Sequence, residues 1–294
     1  MAKDSLSLAD LSQTLKELMR RFDVVVGDIS KMIDFKDGDE AKFYEIVARA
    51  SVIRQREAIE SIVSLCENGH AAFAVCFLRP AYEEMLWMMY LGKNPQEAPG
   101  LSARLTIKGV GASVAAQSKY LSPEIMRKLG FADHFVANFA IFCELHLSWL
   151  RGCGRRLGWR KNSDSPTIAH IAQNVGLKDE YDFIYHATSR FVHFSPEELC
   201  RRAWGNREGL TISSTHFADH WGRFAIYWST RIYVNTLIAV MPMIKMPSGN
   251  FDSKFADEIF ELIGKIPPMP IITVEELEWV KRGEPPVIRS ETAN

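Results

Sequence analysis

The sequence predicts an all-α protein: a helical bundle with a minor β-hairpin or irregular insert near residues 201–213. Three observations predict it. Helix caps and apolar residues three or four apart recur along the chain. Residues 70–92 are apolar almost all round, as suits the centre of a bundle. A strand-like pattern occurs in one short stretch, where Trp204-Gly205-Asn206 and Leu210-Thr211-Ile212-Ser213 read as a small hairpin.

Ser7-x-x-Asp10 is a capping signature ahead of Leu11, Leu15 and Leu18, which share one helical face. Residues 39–68 form a second helix, with Phe43, Ile46, Val47, Ala50, Ile53, Ile62, Val63 and Cys66 as its buried stripe, ended by Asn68-Gly69. In the third helix, residues 70–92, Pro80 leaves the Cys76 carbonyl without its helical donor, so a kink or restart falls near Arg79. A fourth spans 96–120, where Gly109, Gly111 and a run of alanines suit close packing. Ser122-Pro123-Glu124 starts a helix carrying Phe131, Phe135, Phe139, Phe142 and Leu145, which ends before a glycine- and arginine-rich loop, 151–164. Ser165-Pro166 starts a short helix, and another spans 179–194. Ser195-Pro196-Glu197-Glu198 is a capping box, and a long aromatic-rich helix covers 216–241. Short helical pieces near 251–263 and 273–281, then disorder after Gly283, complete the chain. The domain reading is an N-terminal extension 1–37, a core 38–247 and a C-terminal extension 248–294.

Composition narrows the class. The chain has 294 residues, 47% hydrophobic and 24% charged, with a formal net charge of −1. It is globular rather than disordered, and nothing global draws it to nucleic acid or acidic lipid. Five irregularly spaced cysteines without a CxxC pair read as reduced thiols. No apolar run has the length and freedom from charge of a bilayer span. We expect a cytoplasmic protein with no membrane partner.

Two polar sets interrupt otherwise apolar helices. Arg79 and Glu83 lie four apart, on one face if the helix persists past Pro80, and read either as a structural ion pair or as a ligand contact. Asp182, His186, Ser189 and His193 form a stripe opposite Phe183, Ile184, Ala187 and Phe191. Imidazole titrates near neutrality, so the stripe reads either as an interface of hydrogen-bonded histidines or as an acid, base or ligand contact. A mid-helix Ser189 lacks the tight turn and oxyanion hole of a serine hydrolase. His216-x3-His220 and Cys143-x2-His146 are incomplete as metal sites, so no metal and no cofactor is assigned. Two clusters of guanidinium and indole, Arg151 to Lys161 and Arg201-Arg202-x-Trp204 with Arg207, offer groups that suit phosphates and unstacked bases, or simply solvated loops.

Leu78-Arg79-Pro80-Ala81-Tyr82-Glu83, followed by Tyr185-x3-Ser189-x3-His193-x-Ser195, resembles the DUF5677 family of helical proteins, with its LRxxxE helix and later YxxxSxxxHxS stretch. The resemblance spans roughly residues 40–240 and implies that Arg79, Glu83, Tyr185, Ser189 and His193 are the matching positions. It implies no activity. A looser similarity is to HEPN helical bundles, several of which cleave RNA without metal through an Arg followed four to six residues later by a His. Arg190-x2-His193 is too short for that pattern.

The first reading is a polar cleft where the Arg79 helix meets the His193 helix. Arg79 binds a small anionic ligand there, Glu83 and His193 orient it, and Ser189, Tyr185, His186, Arg190 and Trp204 line it. The second is a metal-independent ribonuclease with His193, Glu83 and Ser189 as catalytic groups and RNA as partner. The third is a homodimeric scaffold joined through the aromatic helix around Trp221 to Tyr233.

Overall fold

The fold is seen in a computed structural model that describes residues 7–22, 38–131, 133–206 and 209–244, with scattered positions across 27–36 and 257–276. It is an all-α bundle with one small antiparallel hairpin. The helices are α1 (Leu8–Arg21), α2 (Glu40–Glu67), α3 (Ala71–Ala74), α4 (Leu78–Lys93), α5 (Ala98–Tyr120), α6 (Pro123–Lys128), α7 (Asp133–Arg156), α8 (Ile168–Val175), α9 (Lys178–Val192), α10 (Pro196–Cys200) and α11 (Ala218–Val240). Strands β1 (Ala203–Asn206) and β2 (Gly209–Ile212) pair with Trp204 opposite Thr211.

Helix α11 is the axis. Trp221, Phe224, Ile226, Ile232, Tyr233, Leu237 and Val240 are all buried and cover most of the circumference of the helix; Arg223, Tyr227, Arg231 and Ile238 lie on the less buried side. Helices α1, α2, α3 and α4 enclose it. Its interior hydroxyls turn back on the helix: Thr230 Oγ1 donates to the Ile226 carbonyl at 2.7 Å and Thr236 Oγ1 to that of Ile232 at 2.9 Å. The aromatic rings expected to form a dimer face are therefore core.

Most predicted elements stand, and the departures have local causes. Ser7 and Asp10 form the capping box of α1, and Asp39 caps α2. The buried line of α2 is Ala48, Val52, Gln55, Ile59, Ile62, Val63 and Cys66, so the expected stripe holds in its second half; Ala50 points outward. The third helix breaks ahead of Pro80, into α3, a 3₁₀ turn (Val75–Phe77) and α4, because proline is tolerated in a first helical turn and not deeper. The single helix expected after Ser122 is two, α6 and α7; Gly130, at φ +88°, turns the chain between them. Helix α7 then continues to Arg156, through what reads as loop in the sequence. Helix α8 begins from Thr167, whose Oγ1 accepts from the His170 N–H at 3.2 Å, rather than from Ser165. The piece near 251–263 and the segment after Gly283 fall largely or wholly outside the described residues.

Trp159, read as a base-stacking candidate, is buried. Its Nε1 donates to the Tyr90 hydroxyl at 2.8 Å and ties the turn after α7 to α4. Tyr90→Phe leaves that indole N–H without its acceptor. A loss of about 1–3 kcal/mol is expected, read as a lower urea midpoint with unchanged slope; an unchanged midpoint would show that the bond contributes nothing.

Candidate functional site

Arg79 is the second residue of α4, and its guanidinium crosses to α9. Nε donates to Glu83 Oε1 at 3.0 Å, one helical turn along. Nη1 reaches Ser189 Oγ at 3.5 Å and His193 Nε2 at 3.4 Å. Below, the Tyr185 ring lies 4.4 Å from Cζ, a cation–π stack, and Tyr181 tilts against Tyr185 at 5.6 Å between centroids. Nη2 has no hydrogen bond among the described residues. The Arg79 and Glu83 side chains are 24% and 29% exposed, and His193 is exposed. The cluster is thus an open surface site rather than an internal cleft.

Burial works against the Arg79 charge, but the bond and charge of Glu83 outweigh it and hold its pKa above the ordinary arginine value. The guanidinium only donates, so the contact with His193 uses the imidazole lone pair on Nε2 and places the ring proton on Nδ1. Ser189 Oγ likewise accepts, which leaves its own proton for another partner.

The helix end matters here. Helix α9 stops at Val192, and His193 caps it with an extended backbone, φ −109° and ψ 162°, its N–H donating to the Ser189 carbonyl. The imidazole, one turn beyond Ser189, meets Arg79. Of the predicted stripe, Ser189 and His193 join the site and the other two residues do not. Asp182 pairs with Lys178, and His186 faces water. Arg190 is buried and donates to Glu197 Oε1 at 2.8 Å, so it is not a contact of this site. Trp204 packs edge-on against Phe217 at 4.9 Å in the hairpin region. Arg201, read as part of a phosphate-binding cluster, is also internal: it bonds Glu276, lies 3.4 Å from Glu198 and donates to the Ile271 carbonyl at 3.0 Å. His216 Nε2 bonds the Thr211 carbonyl, and His220 packs edge-on to Trp221. No group of three His, Cys, Asp or Glu side chains placed to hold a metal occurs among the described residues.

Several residues that hold the site were not singled out in the sequence. Glu180 accepts from the Tyr82 hydroxyl at 3.1 Å and pairs with Arg231 at 2.6 Å, which locks α4, α9 and α11 together beneath the cluster. Cys76 Sγ donates to the Phe191 carbonyl at 3.5 Å and joins the turn before Arg79 to the end of α9. Tyr181 had a signal, its spacing of four from Tyr185. Glu180 and Cys76 had none, since their partners are remote in sequence.

Residues 45–209, more than half the chain, match the model of a family of unknown function, DUF5677. The chain belongs to that family. Arg79 and the four residues that meet it, Glu83, Tyr185, Ser189 and His193, lie inside the DUF5677 match. Searches of curated proteins and of solved structures returned no match. No helix of the described residues is long and apolar enough to cross a membrane.

Glu84, beside Glu83, turns the other way, to Arg54 at 3.1 Å and Gln55 Nε2 at 3.4 Å. Burial pushes its carboxyl above the ordinary 4.5, against the pull of Arg54 and Gln55. The folded state then holds this proton more tightly than the unfolded chain does. Stability falls as pH rises from about 4.5 through the raised value. Unfolding titrations of wild type and Glu84→Gln across that window should diverge, with the variant flatter; parallel curves would reject the shift.

Proposed function

We propose that the Arg79 cluster binds a small oxyanion, a phosphate or a carboxylate group, in a binding or regulatory role. The observation that carries this reading is the divided state of one guanidinium. Nε is committed to Glu83 at 3.0 Å, Nη1 has two contacts at the long limit of hydrogen bonding, and Nη2 has none. Long bonds are given up readily for a ligand oxygen. The Nη1–Nη2 edge is the fork that suits a planar or tetrahedral oxyanion. Ser189 adds a hydroxyl proton, while Glu83 and Tyr185 hold the guanidinium in place. Calorimetric titration with inorganic phosphate and with acetate tests this. Arg79→Lys keeps the charge and loses the fork, and should weaken binding by about tenfold or more. Thermal unfolding checks that the variant folds. No heat for either anion, or equal affinity in Arg79→Lys, would reject the site.

A second reading, a metal-independent ribonuclease, is favoured by one specific observation. A guanidinium and an imidazole stand 3.4 Å apart although 114 residues separate them, which gives in space the pair that no local Arg–His spacing supplies. The His193 imidazole would take the proton of a ribose 2′-hydroxyl. The 2′-oxygen bonds to phosphorus, the 5′-oxygen leaves with a proton from water, and Arg79 neutralises the charge on phosphorus. With chelator present, wild type should cleave single-stranded RNA to cyclic-phosphate ends, and His193→Ala should be slower by about 10²-fold or more. Intact RNA after incubation with folded wild type leaves only the binding role.

A further inference from the structure

A second guanidinium is set much like Arg79, on other helices. Helices α5 and α7 run antiparallel and touch where α5 carries glycine. A Cβ on Gly100 would fall 2.8 Å from the Trp149 ring, and one on Gly111 would fall 2.6 Å from Cys143 Sγ. That register sets Arg104 of α5 opposite His146 of α7. The Arg104 guanidinium stacks on Trp149, with Cζ 4.1 Å from the ring centroid. Nη1 donates to Glu40 Oε1 at 2.7 Å, in the first turn of α2, and to the Gly100 carbonyl at 3.2 Å. Among the described residues Nε and Nη2 make no hydrogen bond. The side chain is 19% exposed, so water reaches it. Phe142 packs edge-on against the His146 ring at 4.4 Å. Burial and the Arg104 charge hold that imidazole below its ordinary 6.5, against the pull of Glu40. The ring is therefore neutral near neutrality and keeps one N–H to donate.

We propose that Arg104, floored by Trp149 and faced by His146, is a second oxyanion site, distinct from the one at Arg79 and open to a phosphate group. The Nε–Nη2 edge is the fork whose parallel N–H bonds match two oxygens of one anion. A guanidinium kept only for an ion pair commonly turns that fork to its carboxylate. Arg104 instead meets Glu40 through Nη1 alone and keeps the fork uncommitted among the described residues. The fork is also held ready. Glu40 and the Gly100 carbonyl fix Nη1, and the indole covers one face, so little side-chain freedom is lost when an anion arrives. Gly100 matters because only a residue without Cβ lets Trp149 come this close to α5.

Inorganic phosphate and the full chain test the proposal in two ways. The first is local: the His146 ring-proton resonance, assigned by its loss in His146→Gln, should shift as phosphate is added to wild type. The second is calorimetry in an Arg79→Gln background, where the first cluster no longer supplies heat. Phosphate should still bind there. Adding Arg104→Lys keeps the charge, loses the fork and should weaken that binding by about tenfold or more. Adding Glu40→Gln instead removes a nearby negative charge and should tighten it several-fold. A purely structural ion pair predicts no such gain. Thermal unfolding checks that each variant folds. A His146 resonance that phosphate does not move overturns the site, as does phosphate heat that Arg104→Lys leaves unchanged.

Discussion

A helix buried around most of its circumference imposes the architecture. Helix α11 packs aromatic and aliphatic side chains inward on all but the side of Arg223, Tyr227, Arg231 and Ile238, and such a helix is stable only when largely enclosed. Enclosure fixes where α1, α2, α3 and α4 can lie, and it fixes which of their faces turn inward. Phe22 of the turn after α1 meets Tyr233 edge-on at 5.2 Å, and Phe183 of α9 lies 5.9 Å from Trp228. The polar residues of the enclosing helices are then pushed to the seams between them. The seam between α4 and α9 is where Arg79, Glu83, Ser189 and Tyr185 emerge.

That seam is held by two layers of charge with different tasks. Below, Glu180 binds both Tyr82 and Arg231, and nearly all of its bonding capacity is spent inside the protein. Above, among the described residues, Arg79 spends one of its three nitrogens firmly, one loosely and one not at all. The lower pair is a fastening. The upper cluster retains bonding capacity toward water. Breaking a partly buried pair exposes the remaining charge to an unfavourable setting, so Glu83 stabilises Arg79 in place even when Nη1 exchanges its contacts.

The legibility of this structure follows the range of the interactions. Features set by neighbours a few residues apart are legible directly: the capping box at Ser7 and Asp10, the hairpin at 203–212, the Arg79–Glu83 pair. Features set by remote partners are not. Arg201 looks like a surface cation in sequence, and its burial depends on Glu276, 75 residues away, and the Ile271 carbonyl folding onto it. Trp159 looks like part of a basic loop, and only Tyr90, 69 residues away, makes it core. The helix around Trp221 was recognisable as apolar, but whether its rings faced a partner or the interior depended on the packing of four other helices. Phe142 and Leu145 of α7 have the periodicity of an ordinary buried face yet are exposed, and exposure cannot be read from periodicity.

The convergence at Arg79 depends on where α4 begins and where α9 ends. Pro80 cannot sit deep in a helix, so the chain breaks at the 3₁₀ turn Val75–Phe77 and restarts at Leu78, with Arg79 in the first turn. Pro196 disfavours helical backbone at Ser195, which is extended at φ −136° and ψ 111°, and α9 has already ended at Val192. His193 lies one turn beyond Ser189, its N–H still bonded to the Ser189 carbonyl, and its imidazole comes within 3.4 Å of Nη1, while the extended ψ carries the following chain away from the helix. A guanidinium at the start of one helix and an imidazole just past the end of another share the space that neither helix covers. That is why the groups meet at the surface, within reach of a ligand, rather than inside the seam.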